Sequence, residues 1–151
     1  MEQFRRRYIR YLKLERNYTA NTIEAYTHDL DYLLNFMRCE NLSVYDIRLS
    51  HLETFAATIH EFGVSATSQA RILSGIRAFF RFLVLDGVLT DDPAELLESP
   101  SIGELLPEVL STEEVDRMER AIDLSKLEGQ RNRAIIEVLF SCGLRVSELI
   151  N

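Results

Sequence analysis

The sequence predicts an all-α protein, and three observations lead there. Only six glycines and three prolines occur in 151 residues, which favours helices over a turn-rich β architecture. Apolar residues recur at spacings of three and four through most of the chain, and no strand pattern stands out. Capping residues precede most of these runs, and glycines follow several of them. With 46% hydrophobic and 27% charged residues, the chain can bury a core and is not of disordered composition.

The first predicted helix covers roughly residues 2–15, with Phe4, Tyr8, Tyr11 and Leu12 at helical spacing and arginines between them. A break follows at Asn17-Tyr18-Thr19. Asn21 then offers a cap with Glu24 as its capping-box partner, ahead of a face of Ile23, Tyr26, Leu30, Leu33, Leu34 and Met37 that frays near Asn41. Ser50 with Glu53 opens a helix carrying Leu52, Phe55, Ala56 and Ile59, which Gly63 ends. Ser65 or Thr67 opens the strongest helix, SATSQARILSGIRAFFRFLVLDG, which Gly87 stops. Its apolar face holds Ile72, Leu73, Ile76, Phe79, Phe80 and Leu83, and Arg71, Ser74, Arg77 and Arg81 share the opposite face. Asp92-Pro93 caps a last short helix through Leu97.

Residues 99–110, SPSIGELLPEVL, lack helical period and include Pro100, Gly103 and Pro107, which predicts a linker. Ser111 with Glu114 makes a further capping box before Val115, Met118 and Ile122. The run RNRAIIEVLFSCG is expected to be a buried helix ended by Gly143, and a last helix starts around Ser147, Glu148 and Leu149. The expected organisation is a bundle of four or five helices over 1–98, the linker at 99–110, and a second part at 111–151 too short to bury a full core alone.

Charge and chemistry narrow the function classes. The net charge of −7 opposes binding to polyanions, but it is unevenly spread: residues 1–92 carry 11 basic and 12 acidic groups, and residues 93–151 carry 6 and 12. A locally basic surface in the first part therefore stays open to nucleic acid. Arg5, Arg6 and Arg7 either touch a phosphate backbone or solubilise the N-terminal helix, with solubilising the more common use. Cys39 and Cys142 have no metal-type spacing, Cys142 looks like a small buried hydrophobe, and a disulfide between them is not expected. His28, His51 and His60 form no ligand pattern, so neither metal nor cofactor is predicted. No signal-peptide pattern or long apolar run occurs, and the expectation is a cytoplasmic protein without membrane association.

Three constellations could carry chemistry. Arg71, Ser74, Arg77 and Arg81, with Thr67 and Ser68 at the helix start, form either a phosphate track or the solvated face of an amphipathic helix; pattern alone favours the solvated face. The six tyrosines, Tyr8, Tyr11, Tyr18, Tyr26, Tyr32 and Tyr45, lack a His or Lys placed to activate them, and Tyr8, Tyr11 and Tyr26 suit core packing. Arg145, two residues after Gly143, projects from a turn where Glu148 can hold its guanidinium. Such an arginine is suited to gripping a phosphate. An ordinary helix-end salt bridge is the simpler alternative.

Taken in order, the segments "ERNYTANTIEAYTHDL", "ATSQARILSGIRAFFRFL", "DDPAELLESP", "LPEVLSTEEVDRM" and "RNRAIIEVLFSCGLRVSEL" resemble the tyrosine recombinases (phage-type integrases), most closely the Xer-type members. The resemblance implies that 1–98 is a SAM-like core-binding domain and 111–151 the opening helices of a truncated catalytic domain. It implies an enzyme that cuts and rejoins double-stranded DNA at a recombination site through a 3′-phosphotyrosyl link, as a homo- or hetero-oligomer in a tetrameric synapse. Arg145 matches the first catalytic arginine on the scissile phosphate, and Glu148 the acid that supports it. Asn21, Thr22, Thr67, Ser68, Arg71, Ser74, Arg77 and Arg81 fall where family members touch DNA.

The catalytic lysine, the His-x-x-Arg motif and the nucleophilic tyrosine of the family all lie beyond Arg145 and have no counterpart in these 151 residues. The resemblance thus implies that the six tyrosines are not the nucleophile and that this fragment does not cut DNA. No arm-type domain stands before the first helix, which favours a chromosome-maintenance recombinase over an arm-binding phage integrase. An integrase of a transposon or integron, a helical DNA-binding module without chemistry, and a helical protein-interaction domain are the rival readings.

Overall fold

The structure, a computed structural model, describes residues 2–103 and 109–150. The chain divides into two compact units, Met1–Gly103 and Glu104–Asn151. Every regular element among the described residues is an α-helix. The expected linker falls partly outside the described residues, since 104–108 are not among them; 99–103 and 109–110 carry no regular element.

In the first unit α1 (Glu2–Leu14), α2 (Ala20–Cys39), α3 (Leu49–Glu61) and α4 (Ala66–Leu85) share one core. All six residues expected on the apolar face of α4 are buried there, because that face meets α1, α2 and α3 at once. Tyr8 of α1 sits edge-on to Phe79 at 5.2 Å and against Phe82 at 5.3 Å, and Phe36 of α2 meets Phe55 of α3 at 5.5 Å. Two of the three arginines noted as a run serve between helices: Arg5 pairs with Asp31 of α2 at 2.9 Å, and Arg7 pairs with Asp86 beyond α4. Arg6 faces solvent beside Glu2.

Local expectations needed three corrections. Thr19, not Asn21, caps α2, accepting the Thr22 N–H at 3.3 Å. Asn17 takes a left-handed φ of 51°, which turns the chain out of α1 early enough for α2 to begin before Asn21. At α3 the cap position is Arg48, whose N–H donates to His51 Nδ1 at 3.1 Å, and Ser50 lies inside the first turn. Buried Ile47 and Leu52 on either side set where the chain enters the core, and the helix start follows from them. The expected helix from Asp92 to Leu97 is a turn. Asp92 Oδ1 accepts the Ala94 N–H at 2.8 Å as foreseen, but only i to i+3 bonds follow, and the Leu97 carbonyl is taken by Arg77 at 2.8 Å. Burial of Ala94 and Leu97 decides the local shape.

The C-terminal end of α4 follows expectation. Gly87 adopts φ 70°, and the Val88 N–H reaches back to the Leu83 carbonyl at 2.9 Å, the hydrogen bond of a left-handed glycine cap.

The second unit contains α5 (Thr112–Arg120), α6 (Gly129–Cys142) and α7 (Val146–Ile150). Ser111 and Glu114 form the expected capping box: the Glu114 N–H donates to Ser111 Oγ at 3.3 Å, and the Ser111 N–H to Glu114 Oε2 at 2.8 Å. The Ser111 N–H and the Ser111 hydroxyl, both donating to Oε2, hold the Glu114 carboxyl below the usual glutamate range. Its ionised form therefore supports α5 at neutral pH, and that support is lost as pH falls through the depressed value. Amide NMR of α5 should show its first turn fraying on acidification, with Ser111→Ala weakening α5 by about 1 kcal/mol and flattening the pH response.

The buried helix expected over residues 131–143 is mostly exposed, and so is Cys142. Among the described residues of the unit only α5 and α7 lie against α6, which leaves Phe140 45% exposed and only half-buries Ile135, Ile136 and Leu139. Two short helices cannot cover a 14-residue helix on the sides its apolar residues occupy.

Candidate nucleic-acid interface

The polar side of α4 is less uniform than its sequence. Arg71 Nη1 hydrogen-bonds Asp29 Oδ2 of α2 at 2.7 Å and stands 2.6 Å from Oδ1. Asp29 is 4% exposed at its side chain while Arg71 keeps 50%, so the acid is buried beneath a half-open guanidinium. Burial raises the Asp29 carboxyl above the usual aspartate range, against the opposing pull of Arg71. Arg77 is committed differently, donating from Nη1 to the Leu97 carbonyl at 2.8 Å and from Nη2 to Ser99 Oγ at 3.0 Å. It thereby ties the end of the first unit to α4. Ser74 and Arg81 are exposed.

The other expected contact residues sit at helix starts. Asn21 and Thr67 are exposed in the first turns of α2 and α4. Thr22 and Ser68 are half-buried parts of the caps: Thr22 Oγ1 lies 2.9 Å from Thr19 Oγ1, and Ser65 Oγ donates to Ser68 Oγ at 3.1 Å. Asp29 meets Arg71, while Tyr18 and Tyr26 share a cleft with Ala78, Arg81 and Leu85, so α2 and α4 run past each other in opposite chain directions. The start of α2 therefore belongs with the Arg81 end of α4, and Thr67 and Ser68 lie at the other end. The structure gathers Arg81 with the start of α2 and separates both from the start of α4.

That cleft, about 280 Å³, is lined by aromatic rings, with Arg16 and Arg81 also in its wall. Tyr18 stacks on Tyr26 at 5.7 Å, and Arg16 stands 5.7 Å over the Tyr18 ring. The Arg16 guanidinium pulls the Tyr18 phenol below its ordinary range, whereas burial pushes Tyr26 up and Tyr8 far up. The Tyr8 hydroxyl is buried with no hydrogen-bond partner among the described residues. Tyr8 is thus packing material and a poor nucleophile, in keeping with its place on the α1 apolar face. Tyr45 lies in a turn, and Tyr18 in the break expected before α2.

In the second unit Gly143 closes α6 with φ 62°, and the chain turns directly into α7. Glu148 holds Arg145 twice: Oε2 accepts the Arg145 backbone N–H at 2.7 Å, and Oε1 faces the guanidinium Nη1 at 3.2 Å. One carboxylate thus starts α7 and steadies the arginine, which remains 83% exposed and able to receive an anion. Among the described residues no cluster of His, Cys, Asp or Glu could hold a metal ion, and no helix is long and apolar enough to cross a membrane. His51 is engaged with the Arg48 backbone, and His60 lies 2.9 Å from Gln69 Nε2.

Asp29, Gly75 and the Arg77–Ser99 contact were not anticipated from the sequence. Asp29 had left a trace: it falls between Tyr26 and Leu33 on the apolar face of α2, where an acid must find a partner.

Residues 6–87 match the family described as phage integrase, N-terminal SAM-like domain. The chain is 38% identical over 137 residues to tyrosine recombinase XerD of Proteus mirabilis, covering 91% of this chain and 44% of that protein. It is 36% identical over 152 residues to tyrosine recombinase XerD of Staphylococcus aureus (strain Mu50 / ATCC 700699), covering 100% of this chain and 52% of the relative. The chain spans about half the length of the curated relatives it matches. With a family match over more than half of its length and relatives 36–38% identical across nearly all of it, the chain belongs to the tyrosine recombinase (phage-type integrase) family.

Proposed function

We propose that this chain is the DNA-binding portion, with the start of the catalytic domain, of a tyrosine recombinase that cuts and rejoins double-stranded DNA at a specific site. In this reading residues 1–98 clasp the recombination site, 99–110 connect, and 111–151 open the catalytic domain with Arg145 on the scissile phosphate and Glu148 supporting it. The observation that carries it is the exposed Arg145 guanidinium, held by a carboxylate that also starts α7, in a chain of this family. The relatives' name favours an Xer-type enzyme over an integrase of a mobile element. The recombinase acts in the cytoplasm on duplex DNA, within an oligomeric synapse.

These 151 residues contain no counterpart of the family's nucleophile and are proposed to bind without cutting. Fluorescence anisotropy of residues 1–151 on duplex DNA tests the binding. For about four phosphate contacts, affinity should drop about a hundredfold between 50 and 200 mM salt. Affinity that ignores salt would leave a protein-interaction domain as the better reading. Release of a covalent protein–DNA product by residues 1–151 alone would contradict the division of parts.

A further inference from the structure

We propose that Asp29 is a positioning residue for DNA binding: from beneath the helix surface it grips one edge of the Arg71 guanidinium so that the other edge is presented to a backbone phosphate. This rests on the DNA-binding reading above and adds a residue to it that no contact-face argument supplies. Nη1 hydrogen-bonds Asp29 Oδ2 and lies 2.6 Å from Oδ1, which has no hydrogen-bond partner of its own among the described residues, and Nε and Nη2 make no hydrogen bond among them. A guanidinium has five N–H donors in a rigid fork, so fixing one nitrogen fixes the direction of the others.

Stability does not account for the arrangement. A buried ion pair contributes little or nothing relative to apolar residues of similar size, and burial already disfavours the Asp29 charge. Gly75, mid-helix in α4, is a second unfavourable choice, weaker than alanine by about 1 kcal/mol. Its reason is steric: a Cβ at position 75 would lie 2.8 Å from Asp29 Oδ2 and 3.0 Å from Asp29 Cβ. Two residues that each weaken the helix pair thus converge on one result, a buried acid directly under Arg71. Arg5, also paired with an acid, differs: its Nε and Nη2 both lie on Asp31, and its side chain is 27% exposed.

The test measures duplex-DNA affinity of residues 1–151 across a salt series, with thermal melts of each variant. Removing a negative charge by itself would tighten binding to a polyanion. The proposal predicts the opposite sign: Asp29→Leu weakens binding about as much as Arg71→Ala, on the order of tenfold for a charge-assisted contact. Arg71→Ala should also lower the salt slope by about one phosphate. The double variant should bind no more weakly than Arg71→Ala alone. Should Asp29→Leu not fold, Asp29→Asn, which retains one oxygen acceptor, must fall between wild type and Arg71→Ala. Unchanged or tighter binding by the Asp29 variants, or equal weakening in the presence and absence of Arg71, overturns the inference while leaving the DNA-binding reading intact. Salt-independent binding by the wild-type chain overturns both.

Discussion

Phe80→Ala is expected to destabilise the first unit by about 3–5 kcal/mol, the largest single effect available in the fold. Phe80 has no exposed surface, lies edge-to-face with Phe79 at 5.6 Å, and stands on the face of α4 that meets the other three helices. Truncation removes its contacts with that core and leaves a cavity that four packed helices cannot close without shifting. A domain of this size has roughly 5–15 kcal/mol of stability in total, so the variant should melt on the order of 15–30 °C lower or fail to fold. Calorimetry or far-ultraviolet circular dichroism reads this directly. A shift of only a few degrees would mean that the α1–α4 core is not one cooperative unit.

Arg145→Ala is expected to have the largest functional effect. In a protein that carries residues 1–151 together with the remainder of a recombinase catalytic domain, it should reduce strand cleavage by about a hundredfold to a thousandfold, the cost of losing a charged donor aimed at a reacting phosphate. Site binding should change little, because Arg145 lies outside the first unit and, among the described residues, bonds only within its own turn. A suicide-substrate cleavage assay run beside a gel-shift assay separates the two quantities. Equal losses of cleavage and binding, or a binding loss as large as that of an Arg71→Ala/Arg81→Ala variant, would place Arg145 in site recognition. Glu148→Gln should fall between, since it weakens the hold on the guanidinium while retaining an acceptor for the Arg145 N–H.

Legibility in the sequence followed the range of each interaction. The Ser111–Glu114 box, the Ser65 cap, the glycine ends at Gly87 and Gly143, and the Arg145–Glu148 pair all act within five residues, and all were anticipated. The misplaced starts of α2 and α3 are also local, but each was decided by something the capping pattern does not contain: a left-handed Asn17 in one, and the burial of Ile47 and Leu52 in the other. Cys142 was placed inside because its neighbours are apolar. Apolar neighbours bury a residue only where another element covers them, and within the second unit too little chain does so.

The arginines of α4 show where pattern stops being informative. In the sequence Arg71, Arg77 and Arg81 are equivalent members of one face. In the fold one is pinned by a buried acid 42 residues away, one holds a carbonyl and a hydroxyl at 20 and 22 residues' distance, and one stands at an aromatic cleft. By itself the sequence determined the helical class, the apolar faces and the family, because helix period and capping are short-range and ordered motifs survive without coordinates. Only the tertiary structure decided which polar groups are free to meet a phosphate. That depends on partners brought together across the core, where a single buried carboxylate or a missing Cβ redirects a side chain.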